Sequence, residues 1–130
     1  MVSGPAQLRR RAGFTVIELL VVLAAVALLL SVAAPRYVQH VDRAREAALR
    51  SNLAALRNAL DQFHADKGRW PDELGQLVQG RYLRSVPVDP MTDRADTWTL
   101  VAPQEGVGRV ADVRSAAKGR ALDGSSYASW

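Results

Sequence analysis

The 130-residue chain contains no cysteine. No disulfide can staple it, so its globular part relies on an apolar core, a metal ion or neighbouring subunits. Histidine is nearly absent too. His40 and His64 are the only two, and on one helix their separation of 24 residues puts them about 36 Å apart, too far to share a metal or a triad. Without a thiol, a His–carboxylate cluster or a glycine-rich phosphate loop, no nucleophilic or hydrolytic constellation can be assembled, which excludes an enzyme. Nor is there an aromatic platform for nucleic acid. Arg43, Arg45, Arg50 and Arg57 are interrupted by Glu46 and Asp61 and read as a solvated face of mixed charge. The net charge of +4 adds little, because Arg9, Arg10 and Arg11 supply three of those charges; beyond residue 13 there are 14 Lys and Arg against 13 Asp and Glu. No internal repeat or low-complexity segment is present.

What the chain has in abundance is one apolar run. From Phe14 to Ala34 there are 21 residues, of which only Thr15, Glu18 and Ser31 are polar, and Pro35 follows. As an α-helix this run is about 30 Å long, enough to cross the hydrocarbon of a bilayer. The basic cluster Arg9-Arg10-Arg11 before it holds that flank in the cytoplasm and sends the remainder across. Glu18 is the anomaly, since a carboxylate one turn inside such a helix costs about 2.5 kcal/mol or more unless it is neutral or paired.

A short basic leader ending in Gly13, then Phe14-Thr15-Val16-Ile17-Glu18 and an apolar helix, resembles the class III leader of type IV pilins and of type II secretion pseudopilins. The resemblance implies cleavage by prepilin peptidase between Gly13 and Phe14, N-methylation of Phe14, an assembly role for Glu18 as the fifth mature residue, and Pro35 as the family's helix-kinking proline. A generic secretory signal would place its cut after the apolar run.

Beyond Pro35 the pattern stays helical. Val41, Ala44, Ala48, Leu49, Leu53, Leu56, Leu60 and Phe63 recur every three or four residues, giving one apolar stripe from Tyr37 to about Ala65, with Arg50 and Arg57 on the solvated sides. Gly68 and Pro71 end the helix. Asp72 to Val78 suggests a short helix closed by Gly80, and Tyr82 to Pro90, with Pro87 and Pro90 around Val88, an extended spacer laid against the long helix. The order Gly68, Trp70-Pro71, Leu74, Leu77, Tyr82-Leu83, Pro87 and Asp89-Pro90 resembles the linker of the major, G-type pseudopilins. Thr97 to Val101 and Val107 to Arg114 predict a hairpin turning at Pro103 to Gly106. The tail from Ser115 to Trp130 reads as loop, with Leu122, Tyr127 and Trp130 packing back.

The predicted fold is α+β: a long N-terminal helix, membrane half plus amphipathic half, packed against a small antiparallel sheet. The expected organisation is a cleaved leader at 1–13, a transmembrane and assembly half at 14–35, and a periplasmic head at 36–130. The resemblance implies a single-pass protein of the bacterial inner membrane, cytoplasmic at its N-terminus. It also implies a pseudopilin that polymerises with itself and other pseudopilins on an inner-membrane assembly platform to drive export of folded proteins. A type IV pilin of a surface fibre, for adhesion, motility or DNA uptake, is the alternative; a membrane-anchored binding module that never polymerises would have no use for Glu18.

Major pseudopilins typically bind calcium in a C-terminal loop. Here Asp112 and Asp123 are the only carboxylate side chains near that loop, too few for tight binding of an ion that takes about six to eight oxygens. No cofactor is expected, and Lys118 is placed to pair with Asp123 or Asp112 instead. The first testable expectation concerns processing: intact-mass analysis of the membrane form should find a chain beginning at methylated Phe14. Retention of residues 1–13 in cells with active prepilin peptidase would remove the pilin-like reading.

Overall fold

The computed structural model describes residues 15–130 and divides into two compact units, one ending at Gln39 and the other running from His40 to Trp130. The fold is α+β. Helix α1 spans Val16–Lys67, with Pro35 inside it. Helix α2, Gly75–Gln79, strands β1, Thr99–Val101, and β2, Asp112–Arg114, and a 3-10 turn at Tyr127–Ser129 follow.

In the second unit one stripe of α1 makes the core. Leu49, Leu53, Leu56, Ala59, Leu60 and Phe63 are buried together with Leu74, Leu77, Trp98, Val110 and Val113. The stripe is shorter than the periodicity predicts: Tyr37, Ala44 and Ala48 are exposed and Val41 is half-buried. The covering segments account for this. Residues of the tail reach α1 at Glu46, and apolar packing starts only at Leu49.

Gly68 takes the expected left-handed conformation, with φ of 68°, and its N–H caps the carbonyl of His64 at 2.9 Å. The short helix begins later than its sequence suggests and sinks Leu74 and Leu77 into the core. Gly80 closes it with φ of −82°, and the left-handed residue is Arg81, at 63°. The spacer lies against α1 as expected, since Asn52 Nδ2 donates to the Val88 carbonyl at 2.7 Å and Trp98 Nε1 to that of Pro87 at 2.8 Å. Asp89 within it is fully buried. One of its carboxylate oxygens accepts from the Met91 N–H at 2.9 Å and the other from the Ser115 hydroxyl at 2.7 Å, joining the spacer to the chain leaving β2.

The hairpin is antiparallel but smaller than expected, pairing Thr99 with Arg114, Leu100 with Val113 and Val101 with Asp112. Residues 107–110 are diverted to another partner. Trp70 N–H donates to the Val107 carbonyl at 2.7 Å, and the N–H groups of Arg109 and Val110 both donate to the Pro71 carbonyl, at 3.1 and 3.0 Å. Gly108 makes this possible, because a Cβ there would lie 2.2 Å from the Trp70 carbonyl oxygen, and its φ is 119°. In the tail, Tyr127 and Trp130 pack on the core as predicted. Leu122 does not; it is 53% exposed, and its N–H rather than its side chain is what meets α1.

The two units predict opposite responses to the same truncation. Leu56→Ala should destabilise residues 40–130 by about 2–5 kcal/mol, whereas Leu29→Ala should leave that transition within about 0.5 kcal/mol. Denaturant unfolding of the chain in detergent micelles, read by tryptophan fluorescence, distinguishes them.

Candidate assembly segment

Gly13 and Phe14, the predicted processing pair, lie outside the described residues. From Thr15 onward the segment is built as a helix start. The Thr15 carbonyl accepts from the Leu19 N–H at 3.0 Å, and its hydroxyl accepts from the Glu18 N–H at 3.2 Å. Thr15 is therefore the N-cap and Glu18 the third helical residue, the spacing of a capping box. The sequence carries that role of Thr15 in the pattern Thr-x-x-Glu.

From Leu19 to Ala34 the helix is apolar on every side but for Ser31. Val16, Ile17, Leu20, Val21, Leu28, Leu29, Leu30 and Val32 are all exposed, Leu28 and Leu29 to 70%. Such a surface needs a membrane or other protein against it. Ser31 hides its polarity by donating to the Leu28 carbonyl at 2.6 Å. At Pro35 the helix continues but loses the N–H that would have met the Ser31 carbonyl. Glu18 is exposed among these apolar neighbours. Its place in the first turn gains about 0.3–1 kcal/mol from the helix dipole, less than the roughly 2.5 kcal/mol that hydrocarbon charges for a carboxylate. Protonation of the carboxyl or a partner for it has to supply the difference. Among the described residues α1 is the one helix long and apolar enough to cross a membrane.

The second unit places the remaining predicted site residues apart from one another. Asp112 pairs with Arg57, whose Nε lies 2.8 Å from Oδ1 and whose second nitrogen donates to the Val113 carbonyl at 3.0 Å. Arg57 is thus a half-buried tie to β2 and not a solvated charge. Asp123 accepts at Oδ1 from the Ser125 N–H and hydroxyl, at 2.9 and 2.6 Å, and lies 3.7 Å from Arg50. Those Ser125 hydrogen bonds, followed by the Arg50 charge, hold its carboxyl below the usual range despite some desolvation. The partner cations thus come from α1 and not from Lys118. Among the described residues no three His, Asp or Glu side chains are grouped to hold a metal. His40 and His64 are both exposed, as predicted, and His64 stacks on Trp70 at 4.1 Å.

Residues 8–34 match the prokaryotic N-terminal methylation motif. The chain is 30% identical to fimbrial protein EcpC of Eikenella corrodens over 121 residues, covering 87% of this chain and 77% of that protein. It is 31% identical to type II secretion system core protein G of Aeromonas hydrophila over 100 residues, 65% of this chain and 70% of that one. The core protein G of Dickeya chrysanthemi is 30% identical over 111 residues, 73% and 71% of the two chains. No solved structure matches. A membrane-type helix opening on a methylation motif and leading into a small α+β unit defines a subunit of the type IV pilin class. The chain belongs to that pilin-like family, on the side of the type II secretion core protein G.

Tyr127 carries a pH dependence. Burial, and then the 2.8 Å hydrogen bond to Glu46, push the Tyr127 phenol up to about 12. The folded value exceeds the unfolded value of 10.0, so this contribution is complete below about pH 10 and is lost as pH climbs towards 12. Melting temperature should therefore fall across that window, and Tyr127→Phe should flatten the fall.

Proposed function

We propose that the mature chain is a pseudopilin that polymerises into a periplasmic filament and so drives export of folded proteins by type II secretion. The observation that carries polymerisation is Glu18, a carboxylate one turn inside a helix with apolar surface all round. A permanent anchor would be more stable with leucine there. Beside the ammonium of a neighbouring subunit's Phe14, freed by prepilin peptidase, the carboxylate gains a charge-assisted partner that the membrane lacks. That difference favours filament over membrane pool and fixes the axial register of each added copy. Arg9-Arg10-Arg11 puts the N-terminus in the cytoplasm and the 36–130 head in the periplasm. The partners are then other pseudopilins, the inner-membrane assembly platform with its cytoplasmic ATPase, and prepilin peptidase. The work is mechanical, with no catalytic step and no nucleic-acid partner.

The likeness to core protein G supports secretion as the task. So does the absence of cysteine, since many type IV pilins staple a C-terminal loop with a disulfide. The second reading, a surface-fibre pilin, is favoured by the EcpC match over 87% of the chain. Deleting the gene distinguishes the two: loss of exoproteins from the medium supports the first, and loss of surface fibres with normal secretion the second.

Glu18→Leu should still be inserted and cleaved but should yield few filaments when the system is overproduced, as read by shearing or cross-linking. Wild-type yield from a normally cleaved mutant would remove the registration role and leave Glu18 as a peptidase signal only.

A further inference from the structure

Calcium in the C-terminal loop is what the resemblance to major pseudopilins implies, and the residues present do not fit it. A calcium site needs about six to eight oxygens converging on one point, most of the affinity coming from carboxylates. The two available carboxylate side chains are already engaged separately, Asp112 with Arg57 and the Val113 N–H, Asp123 with Ser125 and Arg50. Several of the loop's carbonyls are used within it. Those of Gly119, Ala121, Ser125, Ser126 and Tyr127 accept from the N–H groups of Tyr127, Gly124, Ala121, Ser129 and Trp130, at 2.7 to 3.1 Å.

At Glu46 the loop turns donors towards α1. The Leu122 N–H and the Tyr127 hydroxyl both reach Glu46 Oε1, each at 2.8 Å. This is the opposite polarity to a cation site: the loop receives an anion from the helix. One turn further on, Arg50 lies over the Trp130 ring at 4.4 Å, and the Trp130 Nε1 donates to Ser125 Oγ at 2.8 Å. Two turns beyond that, Arg57 holds both the Asp112 carboxylate and the Val113 carbonyl. Spacings of four and seven residues keep Glu46, Arg50 and Arg57 on one side of a helix, over about 16 Å of its length.

We infer that Glu46, Arg50 and Arg57 form a polar ladder on α1 that holds residues 112–130 in place by direct hydrogen bonds and a cation–π contact. The C-terminal loop is thereby fixed without a divalent ion. Each rung uses a charge on α1 to meet a group of opposite polarity in the segment, so removing one rung strands its partner. The inference does not depend on what the polymer drives: loss of the secretion reading in favour of a surface fibre would leave it intact.

The test uses the full mature chain in detergent micelles, with thermal unfolding read by near-UV circular dichroism and with limited proteolysis of the C-terminal segment. Melting should be the same in millimolar calcium chloride and in chelator, because an ion bound only by the native state would raise it by mass action. Glu46→Gln and Arg57→Met should each lower the melting temperature by several degrees and open residues 112–130 to protease, and calcium should restore neither. Tyr127→Phe, which deletes one donor and keeps the ring, should show a smaller loss in the same direction and keeps the test readable should a ladder variant not fold. A rise of several degrees with calcium, abolished by Asp123→Ala or Asp112→Ala, would overturn the inference. Unchanged melting and proteolysis in Glu46→Gln, Arg57→Met and Tyr127→Phe would overturn it equally.

Discussion

Everything from His40 to Trp130 leans on one strip of α1, the side chains of Leu49, Leu53, Leu56, Leu60 and Phe63. The sheet opposite consists of two strands of three residues each, and an isolated hairpin of that size is not stable in water. α2, with five residues, is below the length at which a helix holds itself. Neither element has an independent existence. Leu77 of α2 and Val113 of β2, with Leu74 and Val110 just before them, are buried against the strip, whose surface is already rigid from its own backbone hydrogen bonds. The irregular segments are then tied individually, through Asn52 to Val88, Trp98 to Pro87 and Asp89 to Ser115.

Beside the strip runs a second kind of contact. Arg57 is the clearest instance, because a guanidinium presents several donors in a fixed fork and here divides them between a carboxylate and a backbone carbonyl. A small unit without cysteine has few ways to fix a loop of some sixteen residues, and charged rungs beside a packed stripe are one of them. That loop meets the helix through the Leu122 N–H and the Tyr127 hydroxyl at Glu46, and through Asp123 and the Trp130 ring at Arg50.

The unit ending at Gln39 poses the reverse problem. Its apolar side chains from Val16 to Val32 are exposed among the described residues, and its one carboxylate stands at a helix start whose dipole offsets only part of the hydrocarbon penalty. Apolar surface alone would be satisfied by lipid indefinitely. In the polymerisation we propose, Glu18 makes lipid a poorer resting place than a neighbouring copy bearing an ammonium. Thr15 contributes by capping the helix at its start, holding Glu18 in the first turn.

Whatever is periodic or local is legible along the chain. The apolar run, α1 through Pro35, the left-handed cap at Gly68 and the stripe from Leu49 to Phe63 all follow from residue spacing along one backbone. Contacts between distant segments were decided only in the tertiary structure. Thr97 to Arg114 reads as a continuous hairpin until Trp70 and Pro71 take the hydrogen bonds of residues 107–110. Lys118 is nearer in sequence to Asp112 and Asp123 than Arg57 or Arg50, yet the helix brings the arginines to them. Glu46 reads as one more solvated charge and receives two donors from 76 and 81 residues away. Periodicity reports which face of an element is apolar, because that is a property of neighbours three or four residues apart. Which polar groups meet across the fold depends on where chain reversals bring them, and no local spacing encodes that distance.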